Sequence, residues 1–236
     1  MKKKISKYIS LLLLLNSVLM LPIEAAAKDN KSKKEEKEKV EVVTYQGISA
    51  GLDIAGLGSY LFGGDIMSTE INVNANLKNE FFPVVEIGFG KTNTTNENNG
   101  MHYKTAAPYF RIGLDYNIMH KKPHLPGALY AGLRYGFTVF NYDVSGPDMT
   151  DPNYGGATTL PYAYSGLQGN AHWAEVLLGI KVRIYRRFHM GWTIRFKKSI
   201  SVKESEFARP WYIPGYGKMN PNSFGLTFNL IYNLPF

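Results

Sequence analysis

The sequence contains no cysteine, so neither a disulfide framework nor lipid attachment at a cleaved cysteine is available to this chain. Beyond Pro22 it also lacks any apolar run of the roughly 20 residues that a membrane helix needs. Helix-period patterns are scarce as well. These absences leave an all-β fold, which must be closed by something other than disulfides.

The N-terminus has the three parts of a secretory signal peptide. Lysines at positions 2–4 and 7 precede an apolar run at 9–21, and three alanines follow at 25–27. A membrane anchor is the alternative, but Asn16, Ser17 and Pro22 leave the run too short for one. We therefore expect residues 1–27 to be a signal peptide that is cleaved after Ala27.

A charged segment follows the signal peptide. Residues 28–39 read KDNKSKKEEKEK and contain no apolar side chain, so residues 28–46 are expected to be a disordered, solvated linker. A nucleic-acid-binding tail is disfavoured because the opposite charges nearly cancel and an exported protein meets little nucleic acid. No nucleic-acid partner is expected.

From residue 47 onward, apolar and polar residues alternate with the period of a β-strand. Residues 71, 73, 75 and 77 are apolar, whereas 70, 72, 74 and 76 are polar. The same pattern predicts eight strands, most of them long enough to cross a bilayer when tilted. They are expected at 47–57, 66–77, 84–91, 107–118, 128–140, 171–184, 188–198 and 223–236.

The connections between these strands alternate in length. Those at 78–83, 119–127 and 185–187 are short, whereas those at 92–106, 141–170 and 199–222 are long and polar. Short turns at one end and long loops at the other are typical of up-and-down outer-membrane barrels. Residues 47–236 are therefore predicted to form an antiparallel, up-and-down transmembrane β-barrel of eight strands.

The charged residues support this assignment because they fall on the face opposite the apolar one. A charge that faces lipid at mid-depth costs about 2–4 kcal/mol, so a bilayer would enforce this segregation. A soluble, lipocalin-like barrel with the apolar face inward is the rival. The segregated charges are Asp53, Glu70, Glu86, Arg111, Asp115, Arg134, Glu175, Lys181, Arg183, Arg195 and Lys197.

The last strand carries an unbroken apolar stripe that ends on an aromatic residue. The stripe consists of Phe224, Leu226, Phe228, Leu230, Tyr232, Leu234 and Phe236. It resembles the C-terminal signal by which outer-membrane barrels are recognised for insertion. The resemblance implies that Phe236 is an assembly signal and that the barrel assembly machinery is a partner.

Two further resemblances concern the family. Residues 47–236 resemble the superfamily of small eight-stranded outer-membrane β-barrels of Gram-negative bacteria. The run RPWYIPGYGK at 209–218 is similar to an uncharacterised barrel family, a domain of unknown function, from Bacteroidota. Both imply a fold and a location in the outer membrane, and neither implies an activity.

An eight-stranded barrel is just wide enough for its own side chains to fill, so the inward charges are expected to pair. A proton or ion path through them is the functional alternative. The predicted barrel-interior network consists of Glu86, Arg111, Asp115, Arg134, Glu175, Lys181, Arg183 and Arg195.

The sequence gives only weak support for catalytic or metal-binding residues. A lipid-modifying barrel enzyme needs a His beside a Ser, and only His172 and His189 lie near suitable strands. Calcium could use Asp143, Asp148, Asp151 and Asn153, but their spacing matches no known calcium loop. We therefore predict no catalytic residue, no cofactor and no metal.

The loop at 207–219 is unusual because it gathers aromatic residues between prolines and glycines. Aromatic rings flanked by cations suit sugars, lipopolysaccharide phosphates or a protein partner. The alternative is a plug that folds over the barrel mouth or packs on the loop of Tyr162 and Tyr164. The candidate recognition loop consists of Arg209, Trp211, Tyr212, Tyr216 and Lys218.

The sequence thus favours a non-enzymatic barrel that presents the loops at 141–170 and 199–222 in a structural, adhesive or accessory role. Its expected partners are outer-membrane lipid, lipopolysaccharide, the barrel assembly machinery and an envelope protein. A lipid-modifying acyl hydrolase or transferase is one alternative, and an accessory subunit of a secretion or uptake machine is the other.

Overall fold

The computed structural model describes residues 45–122, 125–150 and 159–235. The expected signal peptide at 1–27, nearly all of the linker at 28–46, and Phe236 lie outside the described residues. Within them, no helix is both long and apolar enough to cross a membrane.

Eight antiparallel strands close into a barrel, which confirms the predicted fold class. Around the barrel they pair in the order β1-β2-β3-β4-β5-β8-β9-β12 and back to β1. Their bounds are β1 Tyr45–Asp53, β2 Ile66–Leu77, β3 Phe81–Thr95, β4 His102–Asn117, β5 Gly127–Ser145, β8 Ala163–Tyr185, β9 Phe188–Lys203 and β12 Asn222–Asn233.

Two short hairpins and one helix lie between the barrel strands. Strands β6 (Met149–Thr150) and β7 (Thr159–Leu160) pair with each other, as do β10 (Tyr212–Ile213) and β11 (Gly217–Lys218). Helix α1 (Ala55–Leu61) connects β1 to β2.

The connections alternate between the two ends of the barrel, as predicted, but their lengths do not separate cleanly. Strands β3 and β4 extend through most of the predicted long loop at 92–106 and leave only 96–101 between them, because their backbones stay paired as far as Thr95 and His102. One end, the turn end, carries the connections at 78–80, 118–126 and 186–187. The other, the loop end, carries helix α1 and the loops at 96–101, 146–162 and 204–221. The turn at 78–80 places Lys78 and Asn79 in the left-handed region, both with φ of 55°, and the backbone N–H of Glu80 donates to the carbonyl of Leu77 at 3.0 Å, as in a type I′ turn.

The first strand is shorter than predicted, because residues 54–57 leave the sheet and begin α1. The carboxylate of Asp53 accepts hydrogen bonds from the backbone N–H groups of Ala55 and Phe228, both at 3.0 Å. An acidic side chain that captures the N–H two residues ahead turns the backbone out of the strand. The alternation of apolar and polar residues does not predict a local hydrogen bond of this kind.

Five strands, β3, β4, β5, β8 and β9, are longer than predicted, and two of them shorten the expected loop at 141–170. Strand β5 continues to Ser145 and β8 already begins at Ala163, with Val144 paired to Tyr164. Glycine and polar residues at 165–170 resemble a loop in sequence. In the barrel the backbone of 167–170 is paired with β5, next to a bulge at 165–166, and these cross-strand hydrogen bonds determine the strand.

The two faces of the barrel have the predicted polarity. Glu70, Glu86 and Arg195 are 1–2% exposed inside the barrel, whereas outward residues such as Ile112 and Leu133 are 60% and 64% exposed. A ligand-binding soluble barrel needs the opposite arrangement, with apolar side chains inward. The lipocalin-like alternative is therefore wrong for this fold.

Candidate functional site: an occluded lumen between two unlike ends

An ion cluster closes the lumen near its middle. Strands β2, β3, β4, β5, β8 and β9 each direct one or two charged side chains inward, and these meet because the strands surround a narrow space. The ion cluster consists of Glu70, Glu86, Arg111, Asp115, Arg134, Glu175 and Arg195.

Glu86 is the centre of the cluster, because all three arginines contact its carboxylate. Arg195 Nη1 lies 2.7 Å from Glu86 Oε2, and Arg134 Nε lies 3.0 Å from Oε1. Arg111 Nη1 is 3.2 Å from Oε2. A single carboxylate with three cationic partners ties strands β3, β4, β5 and β9 together across the lumen.

The remaining carboxylates complete the pairing. Arg134 binds Asp115 through both guanidinium ends, at 2.7 and 2.8 Å. Arg195 reaches Glu70 at 3.1 Å and Glu175 at 3.2 Å. Arg111 pairs with Glu70 and lies 2.8 Å from Glu175, although its Nε–H does not point at an acceptor.

The charges of the cluster nearly balance. Three guanidinium groups face four carboxylates, and Lys197, opposite Glu175 in the β8–β9 register, adds a fourth cation. A poorly solvated interior tolerates charges only when they are paired and hydrogen-bonded, so this near-neutrality is what permits the cluster to be buried.

Six of the eight predicted network residues are in the ion cluster, and two are not. Lys181 bonds Asn233 Oδ1 at 3.3 Å and Ser49 Oγ at 3.4 Å instead of a carboxylate. Arg183 is exposed at the turn end. Their inclusion in the network was wrong because alternation predicts the face of a residue but not its height in the barrel.

Above the ion cluster, the hairpin β10–β11 enters the lumen from the loop end as a plug. Tyr212, Ile213 and Tyr216 of the hairpin are only 0–4% exposed. Their side chains pack against the inward rings of Tyr103, Tyr109 and Trp173 from strands β4 and β8. The plug is the alternative that the sequence left open for this loop.

Hydrogen bonds fasten the plug directly to the ion cluster and to the barrel wall. Arg111 Nη2 donates to the carbonyl of Gly215 at 2.8 Å, and Lys197 Nζ donates to the same oxygen at 2.7 Å. Tyr103 Oη donates to the carbonyl of Tyr212 at 2.7 Å. Two cations on one plug carbonyl make the plug and the cluster a single hydrogen-bonded unit.

The predicted recognition loop is therefore divided in two. Tyr212 and Tyr216 lie inside the barrel, with their rings buried against its wall, and are therefore unavailable to an outside ligand. The prediction that these two residues belong to a recognition surface was wrong. Trp211 is 37% exposed, with Lys218 Nζ 5.2 Å from its ring centre, and Arg209 is exposed. The hydrogen bond that Arg209 donates to the Glu204 carboxylate raises the pKa of Arg209.

At the turn end, a vestibule of about 150 Å³ opens below the ion cluster. Between vestibule and cluster lies a smaller chamber of about 50 Å³, room for a few water molecules. Lys181, Phe82 and Ala128 line both. The vestibule was not predicted from the sequence, where a set of inward asparagines near the strand ends is a signal for it.

The histidines and acidic residues form no metal cluster of three or more within the described part of the chain. Asp143 Oδ1 accepts the N–H of Gly166 at 2.8 Å, and Asp151 and Asn153 lie outside the described residues. His172 stands opposite Ser201 in the β8–β9 register, next to a bulge that alternation could not predict.

The fold and the lumen define a small closed β-barrel with a charged, plugged interior. The chain belongs to the family described as a domain of unknown function (DUF6048), whose sequence model matches residues 5–236. This confirms the resemblance to a family of that kind, while the Bacteroidota origin stays a prediction. No curated protein matches the sequence.

One solved structure with a similar fold is the crystal structure of Neisserial surface protein A (NspA). The two chains are 12% identical, with a TM-score of 0.45. The match covers 80% of this chain and 99% of that one.

Proposed function

We propose that this protein spans the outer membrane and serves a non-enzymatic role, structural, adhesive or accessory, through the surface at its loop end. The observation that carries the proposal is the inverted polarity of the barrel. Its interior holds paired charges, and its outside is an apolar belt. The belt includes Ile71, Val85, Ile87, Ile112, Leu133, Val139, Val176, Leu178, Ile180 and Ile194, each 49–69% exposed.

Exposure of such an apolar belt to water is energetically unfavourable. Soluble monomers rarely expose contiguous apolar patches larger than a few hundred square ångströms. The belt continues around the strands, since outward residues alternate with inward ones along each of them. A bilayer about 30 Å thick would cover it.

Aromatic pairs near the strand ends support the same placement. At the turn end, Phe81 packs on Tyr116 with ring centres 5.4 Å apart, and Phe188 packs on Tyr232 at 5.0 Å. Aromatic girdles mark both interfaces of outer-membrane barrels. The turn end, where the described strands β1 and β12 have their outer termini, would then face the periplasm.

An occluded lumen argues against conduction and leaves the loop end as the working surface. Phe207 is 66% exposed there and stacks on Tyr164 with ring centres 5.6 Å apart. Trp211 of the same loop is also exposed, with Lys218 Nζ 5.2 Å from its ring centre. Rigid aromatic rings next to cations suit lipopolysaccharide phosphates or an envelope protein, which are the partners we propose. An accessory subunit of a secretion or uptake machine would use the same surface.

The proposed orientation is tested by labelling, since the chain has no native cysteine to interfere. We expect Lys218→Cys to react with a membrane-impermeant maleimide on intact cells. Lys121→Cys, in the connection between β4 and β5 at the turn end, should react only after the envelope is opened. Equal labelling of both variants on intact cells, or recovery of the protein in the soluble periplasm, would contradict the proposal.

A lipid acyl hydrolase is the second candidate, and one observation favours it. His172 and Ser201 are register partners on neighbouring strands. Tyr135 Oη lies 2.8 Å from His172 Nδ1, where it could orient the imidazole as a carboxylate does in other hydrolases. Cross-strand partners have Cβ atoms about 4.5–5.5 Å apart, close enough for an imidazole to reach a hydroxyl.

The two candidates differ in what Ser201→Ala should do. For a non-enzymatic barrel, lipid extracted from cells with wild type, Ser201→Ala or His172→Ala should show the same acyl pattern. Loss of a deacylated lipid species in both variants, at unchanged protein level, would establish the hydrolase. Because general-base catalysis contributes about 10²–10⁴-fold, such a loss would be unmistakable.

A further inference from the structure

The vestibule at the turn end has a composition that differs from the rest of the lumen. Its lining includes the cationic or basic residues Lys122, Lys181, Arg183 and His189 and, among the described residues, no carboxylate. Four asparagines, at positions 76, 79, 117 and 233, supply most of its other polar groups. The ion cluster pairs its arginines with acids, whereas the described lining of the vestibule gathers positive charge without a counter-charge.

Lys181 shows the imbalance most clearly. Its side chain lies between the vestibule and the chamber, and within the described part of the chain no carboxylate pairs with it. Its ammonium has only two long hydrogen bonds, to Asn233 and Ser49. An ammonium removed from water gains most from an ionic partner, so this position favours a bound anion.

Three of the four asparagine side-chain oxygens already accept hydrogen bonds. Asn76 Oδ1 accepts the backbone N–H of Asn79 at 2.8 Å, and Asn117 Oδ1 accepts that of Met119 at 3.0 Å. Asn233 Oδ1 accepts from Lys181. Because a backbone N–H or an ammonium can only donate, these bonds determine which end of each amide is the oxygen.

The side-chain amides of these asparagines still have N–H groups that can donate hydrogen bonds to a ligand. Asn117 Nδ2 uses one hydrogen on the carbonyl of Asn79, at 2.9 Å. Among the described residues, the Nδ2 groups of Asn76 and Asn233 have no acceptor. His189 adds no further N–H, because its Nδ1 already donates to the carbonyl of Arg187, 3.2 Å away, and the other nitrogen of a neutral imidazole is an acceptor. The lining therefore offers donors and cations to whatever enters.

We propose that the vestibule is a binding site for a phosphate group, either inorganic phosphate or the headgroup of an anionic phospholipid. Several N–H donors and cations converge on a space of about 150 Å³ that is open at the turn end. Phosphate accepts many hydrogen bonds and pairs with both guanidinium and ammonium groups. The site requires only the folded barrel and does not depend on the role of the loop end.

The test uses the folded, full-length protein in a maltoside detergent, which contains no phosphate, at pH 7 and constant chloride. Inorganic phosphate, short-chain phosphatidylglycerol and short-chain phosphatidylcholine are titrated separately. The readout is the NMR signals of the asparagine side-chain amides together with titration calorimetry. We expect saturable binding in the millimolar range or tighter, with shifts at Asn76 and Asn233.

Variants that remove a cation from the vestibule lining are compared with a variant that removes a cation outside it. Lys181→Met and Arg183→Gln should each weaken binding at least tenfold, and Arg183 is exposed, so its replacement should leave the fold intact. Lys122→Gln should weaken binding, whereas the neighbouring Lys121→Gln, which does not line the vestibule, should not. Heat-modifiable migration on gels verifies that every variant is folded.

Each outcome decides the proposal. Binding of inorganic phosphate identifies a free anion as a ligand, and binding of phosphatidylglycerol alone identifies a lipid headgroup. Absence of saturable binding for both would overturn the site. It would also be overturned if Lys121→Gln weakened binding as much as Arg183→Gln, since the attraction would then come from the general charge of the turn end.

Discussion

Replacing Arg195 with methionine is expected to lower the free energy of unfolding by about 3–5 kcal/mol, the range for breaking a buried ion pair by removing one partner. Arg195 contacts Glu70, Glu86 and Glu175, and its side chain is 3% exposed. Methionine fills much of the same volume but leaves these carboxylates with too few cations. Equilibrium urea unfolding in lipid vesicles measures the loss.

Lys78→Met is the matched control, because it removes one cation from an exposed turn. Its cost should stay within about 0.5 kcal/mol, as for other surface substitutions. Adding Glu86→Gln to Arg195→Met should restore part of the stability, since the double variant removes a charge of each sign and contacting residues are energetically coupled. Equal losses for the two single variants would contradict the buried cluster.

The ion cluster could be predicted because a strand has a period of two. Glu86, Arg111, Arg134 and Arg195 share the face opposite the aliphatic residues, and a narrow closed barrel brings that face together. The pairing itself could not be predicted. It depends on shear, which sets the relative height of residues on different strands, and this is why Arg183 was wrongly placed with the others.

The plug could be foreseen only as one of two alternatives. An aromatic loop looks the same in sequence whether it covers a lumen or faces outward. The decisive feature is that the charges lie near mid-height and leave space toward the loop end for Ile213 and Tyr216. Two bonds to the carbonyl of Gly215, from Arg111 and Lys197, then orient the hairpin.

The vestibule and the His172–Ser201 pair were beyond sequence reasoning for a different reason. Both depend on local irregularities, a turn in one case and a bulge between β8 and β9 in the other. A bulge shifts the register by one residue, so partners across it cannot be counted from sequence positions. The alternation of apolar and polar residues does not determine side-chain positions at such irregularities.

Gly215→Ala is expected to release the plug without opening the barrel. Gly215 has φ of +79°, and a Cβ there would lie 2.4 Å from Tyr109 Cγ. A left-handed alanine costs about 1–2 kcal/mol, and forcing a methyl group into a packed interior costs about 1–3 kcal/mol more. Together about 2–5 kcal/mol should be lost from the hairpin's packing, enough to populate a state in which it leaves the lumen.

Gly166→Ala is the control, because that residue also has a positive φ of +68° but a Cβ there would meet nothing within 4 Å. It should show only the backbone cost of about 1–2 kcal/mol.

Trypsin should cleave after Lys218 much faster in Gly215→Ala than in wild type or Gly166→Ala, while heat-modifiable migration persists in all three. The ion cluster would still close the lumen, so ion conductance in planar bilayers should not rise. If cleavage rates matched in the two variants, close contact with Tyr109 would not be what holds the plug. If conductance rose sharply, the plug rather than the cluster would be the barrier.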